Sequence, residues 1–329
     1  MSLARGYAAH THTDPLVPFE FERRAVGPND VRIEILYSGI CHSDLHQARD
    51  DWGGSIYPMV PGHEIIGRVT EVGSEVTRFK VGDHAGVGCM VDSCRHCDAC
   101  EHDLEQYCAE GATWTYNGRE RADGAPTYGG YSDHVVVEQR FVVKVSETLD
   151  LKAAAPLLCA GITTWSPLRH WKVGPGQKVG VIGLGGLGHM GVKFAKALGA
   201  HVVMITTTPE KGADAKRLGA DEVLVSRDAA QMKAHAGSFD FLLNTIPVGH
   251  DTNPYMGLLK REATMCLVGV LTELDPPLTG GSVIFGRKHL TGSAIGGMAE
   301  TQEMMDFCAE HGIVSDVEMI DIKNVNEAW

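Results

Sequence analysis

The sequence predicts an α/β protein of two domains, a β-rich first half followed by a doubly wound parallel sheet. Three observations carry that prediction. The run Val179-Gly-Val-Ile-Gly-Leu-Gly-Gly-Leu-Gly188 leads a short apolar strand into Gly183-x-Gly185-x-x-Gly188. From Lys178 onward, short apolar strands alternate with helical patterns, as parallel sheets require. Before about residue 150, by contrast, strands of alternating apolar and polar residues are separated by turn signals.

Taken in order, Val31–Tyr37 alternates like a half-buried strand, and Ile65–Val72 and Gly130–Val137 are further strands of the first half. Turns fall at Gly27–Asp30, Pro58–Gly62 and Val81–Asp83. Leu151–Ala155 turns helical. In the second half, Val179 to Ile182 is a strand, the residues after the glycines form an amphipathic helix ending at Gly199, and His201–Thr206 is the next strand. Val223–Val225, Phe239–Leu243 and Met265–Val268 follow as strands, then a helix over Glu300–Glu310 and a short strand near Val317–Ile320.

The glycines suit a dinucleotide. The first permits a tight turn, the second lets backbone approach a pyrophosphate, and the third lets helix and strand pack closely. A diphosphate at the helix N-terminus meets free N–H groups and the positive end of the helix dipole. About twenty positions on, where NAD enzymes place a carboxylate for the adenosine ribose, the chain reads Thr206-Thr207-Thr208-Pro209-Glu210-Lys211. Three hydroxyls and a lysine favour a 2′-phosphate, which a carboxylate at the strand end would repel, and Glu210 belongs to the following turn. The expectation is NADP rather than NAD.

The chain of 329 residues suits two domains with ample core. A net charge of −13 argues against nucleic-acid and anionic-membrane partners. The segment Met1–His10 lacks the apolar core of a signal peptide, and no apolar run approaches a membrane span. The nine cysteines are therefore expected in a reducing cytoplasm. Cys94, Cys97, Cys100 and Cys108 stand at a spacing that brings four thiolates to one tetrahedral zinc, and four leave no open position, so that site is structural. His96 and His102 lie inside the lobe but are surplus to it. Gly39-Ile-Cys41-His42-Ser43-Asp44-Leu45-His46 and Pro61-Gly62-His63-Glu64 hold further donors, a weak metal signal when read by themselves.

Together these segments resemble the zinc-dependent medium-chain alcohol dehydrogenases, and within them the cinnamyl-alcohol-dehydrogenase type of aldehyde reductase. The matching residues are Cys41–Asp44, Tyr57–Glu64, the cysteine lobe, Ala155–Thr163, Gly183–Gly191, Gly286–Lys288 and Gly292-Ser293, spread over essentially the whole chain. The resemblance implies a GroES-like, partly open β-barrel catalytic domain formed by 1–156 with 293–329, and a Rossmann domain formed by 157–292. It implies two zinc ions, the catalytic one held by Cys41, His63 and Cys159, with Glu64 as an alternate ligand and Asp44 orienting His63. Ser43, in place of the threonine of many relatives, would supply a proton, and His46 would relay it. Thr163 and Thr245 would lie at the nicotinamide end, with Gly186, Leu187, Val268 and Ser293 also on the cofactor and Trp52, Cys89, Trp114 and Ile295 lining the substrate pocket. Cys266 and Cys308 are read as packing residues, and His10, His12 and His170 as surface residues.

The reaction implied is reversible NADP(H)-linked reduction of small aromatic or medium-length aldehydes to primary alcohols, in a homodimer. Two rivals share these residues. An NAD-linked polyol or secondary-alcohol dehydrogenase is opposed by Thr206–Lys211, and a zinc- and NADPH-binding protein without turnover is opposed by Ser43 and His46 beside an open metal. The chain ends at Asn324–Trp329, where relatives continue through a helix and a last strand. Either the chain is truncated or its ending differs, and a missing strand is expected to leave a sheet edge and apolar surface uncovered.

Overall fold

The computed structural model describes residues 2–269 and 272–329. The chain divides into two compact units, one of 1–159 with 296–329 and the other of 160–295. The junctions lie at 159 rather than 156 and at 296 rather than 293, so Cys159 belongs to the first unit and Ser293 to the second.

In the first unit, β1 (Ser2–Ala8) pairs antiparallel with β2 (Val17–Arg23). β3 (Asp30–Ser38) leads through α1 (His42–Ala48) to β4 (Ile65–Val72), then β5 (His84–Val87) and β6 (Met90–Asp92). The cysteine lobe follows, with α2 (Asp98–Glu101), and then β7 (Thr113–Trp114), β8 (His134–Glu138), β9 (Val143–Lys144) and α3 (Leu151–Ala154). The main sheet is antiparallel with order β8-β3-β4-β5-β9, and β6 pairs with β7 apart from it. The period-two pattern of β3 explains its place: Val31 and Ile33 are fully buried while Glu34 and Leu36 reach toward solvent.

Two sequence expectations need correction here. The strand over 130–137 is regular only from His134, because residues 129–131 instead bond to the neighbouring segment: Gly129 N donates to Val60 O, Gly130 N to Gly62 O and Tyr131 N to Pro61 O, at 2.7, 2.8 and 2.9 Å. The strand over 317–320 does not form. Val317–Ile320 has alternating character, but among the described residues no strand pairs with it, and Met319 stays 59% exposed. Alternation without a ladder partner gives no strand.

The second unit begins with α4 (Ala160–His170). It continues as β10 (Lys178–Ile182), α5 (Gly186–Ala197), β11 (His201–Thr206), α6 (Gly212–Arg217), β12 (Glu222–Val225), α7 (Ala229–Ala234) and β13 (Phe239–Asn244). α8 (Asn253–Met256), β14 (Leu259–Leu267), α9 (Gly280–Ile284) and β15 (His289–Gly292) complete it. All six strands are parallel, in the order β12-β11-β10-β13-β14-β15. The order reverses between β10 and β13, which makes the crevice at their carboxyl ends the place for a nucleotide. Ile182, Val203, Ile205, Leu224, Phe239, Leu242 and Met265 pack one core of this unit. Burial on both faces is why these strands read as near-continuous apolar runs.

Helix α10 (Met298–His311) belongs to the first unit and ends at Gly312 in the left-handed conformation that favours glycine. Beyond it, Ser315 N donates to Ala153 O at 3.0 Å, and Asn326 exchanges two hydrogen bonds with the Leu16 backbone. Val325, in a 3₁₀ turn over Ile322–Glu327, is buried with Ala4, Ala8, Leu16 and Tyr131.

Candidate active site

The first unit brings four donors from three separate segments together: the Cys41 and Cys159 sulfurs, a His63 nitrogen and a Glu64 oxygen all lie within 4.8 Å of one another. The two sulfurs are 3.8 Å apart. Cys41 stands at the N-terminus of α1, His63 and Glu64 follow Gly62, and Cys159 follows the 3₁₀ turn Ala155–Leu158. Gly62 has φ +102°, and a Cβ there would strike the Tyr131 ring and the Gly130 backbone. That glycine is what lets the chain turn to present His63.

Asp44 ties the set together. Its Oδ1 accepts from Gly62 N and from His63 Nδ1, each at 3.0 Å. Its Oδ2 accepts from Cys41 N at 3.0 Å and from the Tyr131 hydroxyl at 3.2 Å. Nδ1 being committed to the carboxylate, Nε2 is the His63 nitrogen left for a metal. Burial opposes the charged forms of both groups, but their attraction outweighs it: Asp44 is held below the usual carboxylate range and His63 well above the imidazole range. The hydrogen bond with Cys159, with His63 nearby, holds the Cys41 thiol well below its ordinary value, while the same pairing pushes Cys159 well up. Burial, then the neighbouring Cys41, raises the Glu64 carboxyl well above its usual range. Glu64 is packed against Gly39, where any Cβ would overlap its carboxylate.

Two thiols, an imidazole and a buried carboxylate form a donor set suited to zinc. The other predicted residues of this unit gather nearby in part. Ser43 and His46 are three positions apart on α1 and so share a helical face. His46 Nδ1 is 2.8 Å from Asp51 Oδ2, and its ring lies 5.3 Å from Trp52. Cys89 O accepts from Thr115 N, which sets Cys89 beside Trp114 across the short β6–β7 pair. Trp52 and Trp114 are both exposed. Sequence reasoning missed Tyr131, whose hydroxyl reaches Asp44, and Tyr116, whose ring stacks 5.7 Å from that of His63. Neither carries a motif signal.

In the lobe, the sulfurs of Cys94, Cys97, Cys100 and Cys108 also lie within 4.8 Å of one another. Cys94 N, Cys97 N and Ala109 N each donate to a cysteine sulfur at 3.3 Å, as thiolates around a cation require. The Ala109 N–H and Cys100 lower the Cys97 thiol to about 6. His96 and Glu110 approach Cys94 from outside, and His96 Nε2 sits 3.1 Å from Glu110 Oε1. Glu105 accepts from Met298 N at 3.0 Å, anchoring the lobe to the start of α10.

In the second unit, Gly183 adopts φ +93° and Gly185 caps α5, which begins at Gly186 and Leu187. A Cβ on Gly188 would stand 1.9 Å from Gly183 O, whereas Cβ atoms on Gly185 or Gly186 would meet nothing within 4 Å. The open side of the turn is therefore the side free for a ligand. The Thr245 hydroxyl donates to Ile182 O at 2.8 Å, with Gly183 O at 3.1 Å. It braces the turn from below. Lys211 Nζ reaches Leu184 O at 3.2 Å, which places its charge at the same turn, and Thr206, buried at the end of β11, accepts from Thr208 N at 3.3 Å. Thr207 is exposed and Thr208 half-buried. Val268 N donates to Asn244 O and Ser293 N to Leu267 O, fixing both at the carboxyl ends of the sheet. Thr163 is buried in α4, and Ile295 has φ +37°. Cys266 and Cys308 are fully buried; His10, His12 and His170 are exposed.

A two-unit chain with these donor sets and this glycine turn has the build of a metal-dependent, nucleotide-linked oxidoreductase. Residues 27–147 match the alcohol dehydrogenase GroES-like domain and residues 186–310 the zinc-binding dehydrogenase domain. The chain belongs to the zinc-binding alcohol dehydrogenase family and is an oxidoreductase of it. It is 53% identical to an aldehyde reductase of Escherichia coli, over 99% of this chain and 93% of that one. It is 52% identical to an NADP-dependent alcohol dehydrogenase of Mycolicibacterium smegmatis, over 100% and 94%. Among solved structures it resembles a cinnamyl alcohol dehydrogenase of Sorghum bicolor (TM-score 0.96, 47% identity, 99% and 93% covered). It also resembles an enzyme of that type from Helicobacter pylori complexed with NADP(H) (TM-score 0.93, 42% identity, 99% and 93% covered).

Proposed function

We propose that the protein is a zinc-dependent, NADP(H)-linked aldehyde reductase and alcohol dehydrogenase acting on aromatic or medium-length aldehydes. The observation that carries this is the convergence of Cys41, His63, Glu64 and Cys159 on one point, with Asp44 behind His63. A zinc held by these residues would supply Lewis acidity toward a carbonyl oxygen, and a bound NADPH would supply the hydride.

The chain's own residues do the rest. Cys41, His63 and Cys159 hold the catalytic metal, with Glu64 as an alternate ligand, and Asp44 fixes the imidazole. Cys94, Cys97, Cys100 and Cys108 hold the structural metal. The Ser43 hydroxyl gives a proton to the nascent alcohol oxygen, and His46, held by Asp51, replaces it from solvent. Gly183, Gly185, Gly186, Leu187 and Gly188 receive the diphosphate. Thr206, Thr207, Thr208 and Lys211 receive the 2′-phosphate, and Thr163, Thr245, Val268 and Ser293 border the nicotinamide half. In the first unit, Trp52, Cys89 and Trp114 select the substrate's apolar body.

The reading extends to a homodimer, supported by the edge strand β15 and by Ile284 and Phe285 before it, which are 74% and 84% exposed. It extends also to the cytoplasm, supported by nine free thiols. Among the described residues no helix is long and apolar enough to cross a membrane.

The test is oxidation of NADPH with cinnamaldehyde or benzaldehyde as acceptor, beside NADH and a Cys159→Ala variant. Turnover with NADPH, weak turnover with NADH and none in the variant are expected. Absence of turnover in folded protein carrying two zinc ions would overturn the proposal.

A further inference from the structure

Asp44 is fully buried; four hydrogen bonds reach it, two on each oxygen, and the Tyr116 side chain also bonds to it. Three of the donors belong to the segments that carry the metal donors: Cys41 N, Gly62 N and His63 Nδ1. The fourth is the Tyr131 hydroxyl, from a segment 87 residues away in sequence. Tyr131 is 1% exposed. Its own N–H is held by Pro61 O at 2.9 Å, and its carbonyl accepts from Tyr7 N at 2.9 Å, so backbone bonds fix the residue on both sides. A Cβ on Gly62 would come within 2.7 Å of its ring, which therefore packs directly on the turn that presents His63.

We propose that Tyr131 is a positioning residue for the catalytic metal: through Oδ2 of Asp44 it fixes the carboxylate plane, and with it the direction in which His63 presents Nε2. The inference rests on the assignment of zinc to Cys41, His63 and Cys159. The terminal torsion of Asp44 has a broad well of its own, so the carboxylate plane is set by the hydrogen bonds its oxygens accept. Cys41 N and Tyr131 hold Oδ2 from different segments, so losing the phenol removes one of the bonds that set the carboxylate plane. Phenylalanine keeps the ring, the packing on Gly62 and every backbone bond.

The experiment compares wild-type protein with Tyr131→Phe, each loaded with two zinc ions and titrated with a chelator while remaining zinc is counted. The zinc at the four cysteines serves as an internal standard of folding. The expected result is an unchanged standard and about tenfold weaker retention of the other zinc, the size of effect usual for partners of metal-bound histidines. Cobalt placed at that site should show altered visible bands in the variant. Combined with Asp44→Asn, the tyrosine change should add less than it does alone, because its action runs through the carboxylate. Two zinc ions with identical release and identical cobalt bands in Tyr131→Phe would overturn the positioning role while leaving the metal assignment intact. A wild-type protein that binds zinc only at the four cysteines would overturn both.

Discussion

Gly188 and Gly183 meet so closely that a single Cβ on Gly188 would stand 1.9 Å from the Gly183 carbonyl oxygen. Two turns of the chain, one leaving β10 and one entering α5, share a space that holds no side chain. Gly185, two residues from Gly183 and three from Gly188, faces open space. Two of the glycines thus answer to the fold, while the proposed cofactor site gives the third to the ligand.

Gly188→Ala and Gly185→Ala should accordingly fail in different ways. The first should destabilise the second unit by about 1–3 kcal/mol or more, the range typical of overpacking, seen as an earlier urea transition. The second should leave that transition in place while NADPH binding, followed by fluorescence, weakens. Equal stability loss in both variants would contradict the division of roles.

Lys211 Nζ lies at the carbonyl of Leu184 and carries the charge nearest the turn among the proposed 2′-phosphate contacts. Lys211→Ala should raise KM for NADPH about ten- to a hundredfold, as loss of a charge-assisted bond worth about 1.5–3 kcal/mol implies, and leave KM for NADH nearly unchanged. A parallel rise for both cofactors would place Lys211 in turn stability rather than in discrimination.

Asp44→Asn keeps the shape of the side chain but removes the charge facing His63. Zinc retention at the Cys41, His63 and Cys159 site should drop by about 10–100-fold, measured as zinc per chain after dialysis against chelator. Full retention would mean that His63 is held by packing against Tyr116 and not by the carboxylate.

Asp44 also links stability to pH in the metal-free protein. Its folded pKa is depressed, so its contribution is present above the unfolded carboxylate value of about 3.9 and is lost as pH falls through the lower folded value. Asp44→Asn should therefore separate most from the parent protein near neutrality and converge with it in strong acid. Urea midpoints across pH test this, and a separation that widened in acid would contradict it.

Cys97 has three sulfur neighbours and the Ala109 N–H. Cys97→Ala should release the zinc of the lobe and, because Glu105 anchors that lobe to α10, loosen the start of the helix as well. Limited proteolysis should then cut within residues 94–108 in the variant and spare the parent. Equal resistance would show that the lobe folds without its metal.

What was legible in the sequence was local. The strand running into Gly183, the helix after it and the strand ending at Thr206 are set by period and by glycine's freedom, and each lies where it was expected. The four lobe cysteines were readable for the same reason, since ligands within fifteen residues need only a short loop to converge. Cys41, His63 and Cys159 carried little signal alone and gained meaning through the family resemblance.

Tertiary structure decided what spacing could not. It brought residues 41, 63 and 159 to one point through the packing of α1, the Gly62 turn and the 3₁₀ turn before Cys159. It denied Val317–Ile320 a strand, because a strand requires a partner edge that no local pattern can supply. It placed Tyr131 on Asp44, a contact between buried side chains 87 positions apart. Period and composition fix which face of an element is apolar, while the choice of neighbour on that face belongs to the packed core.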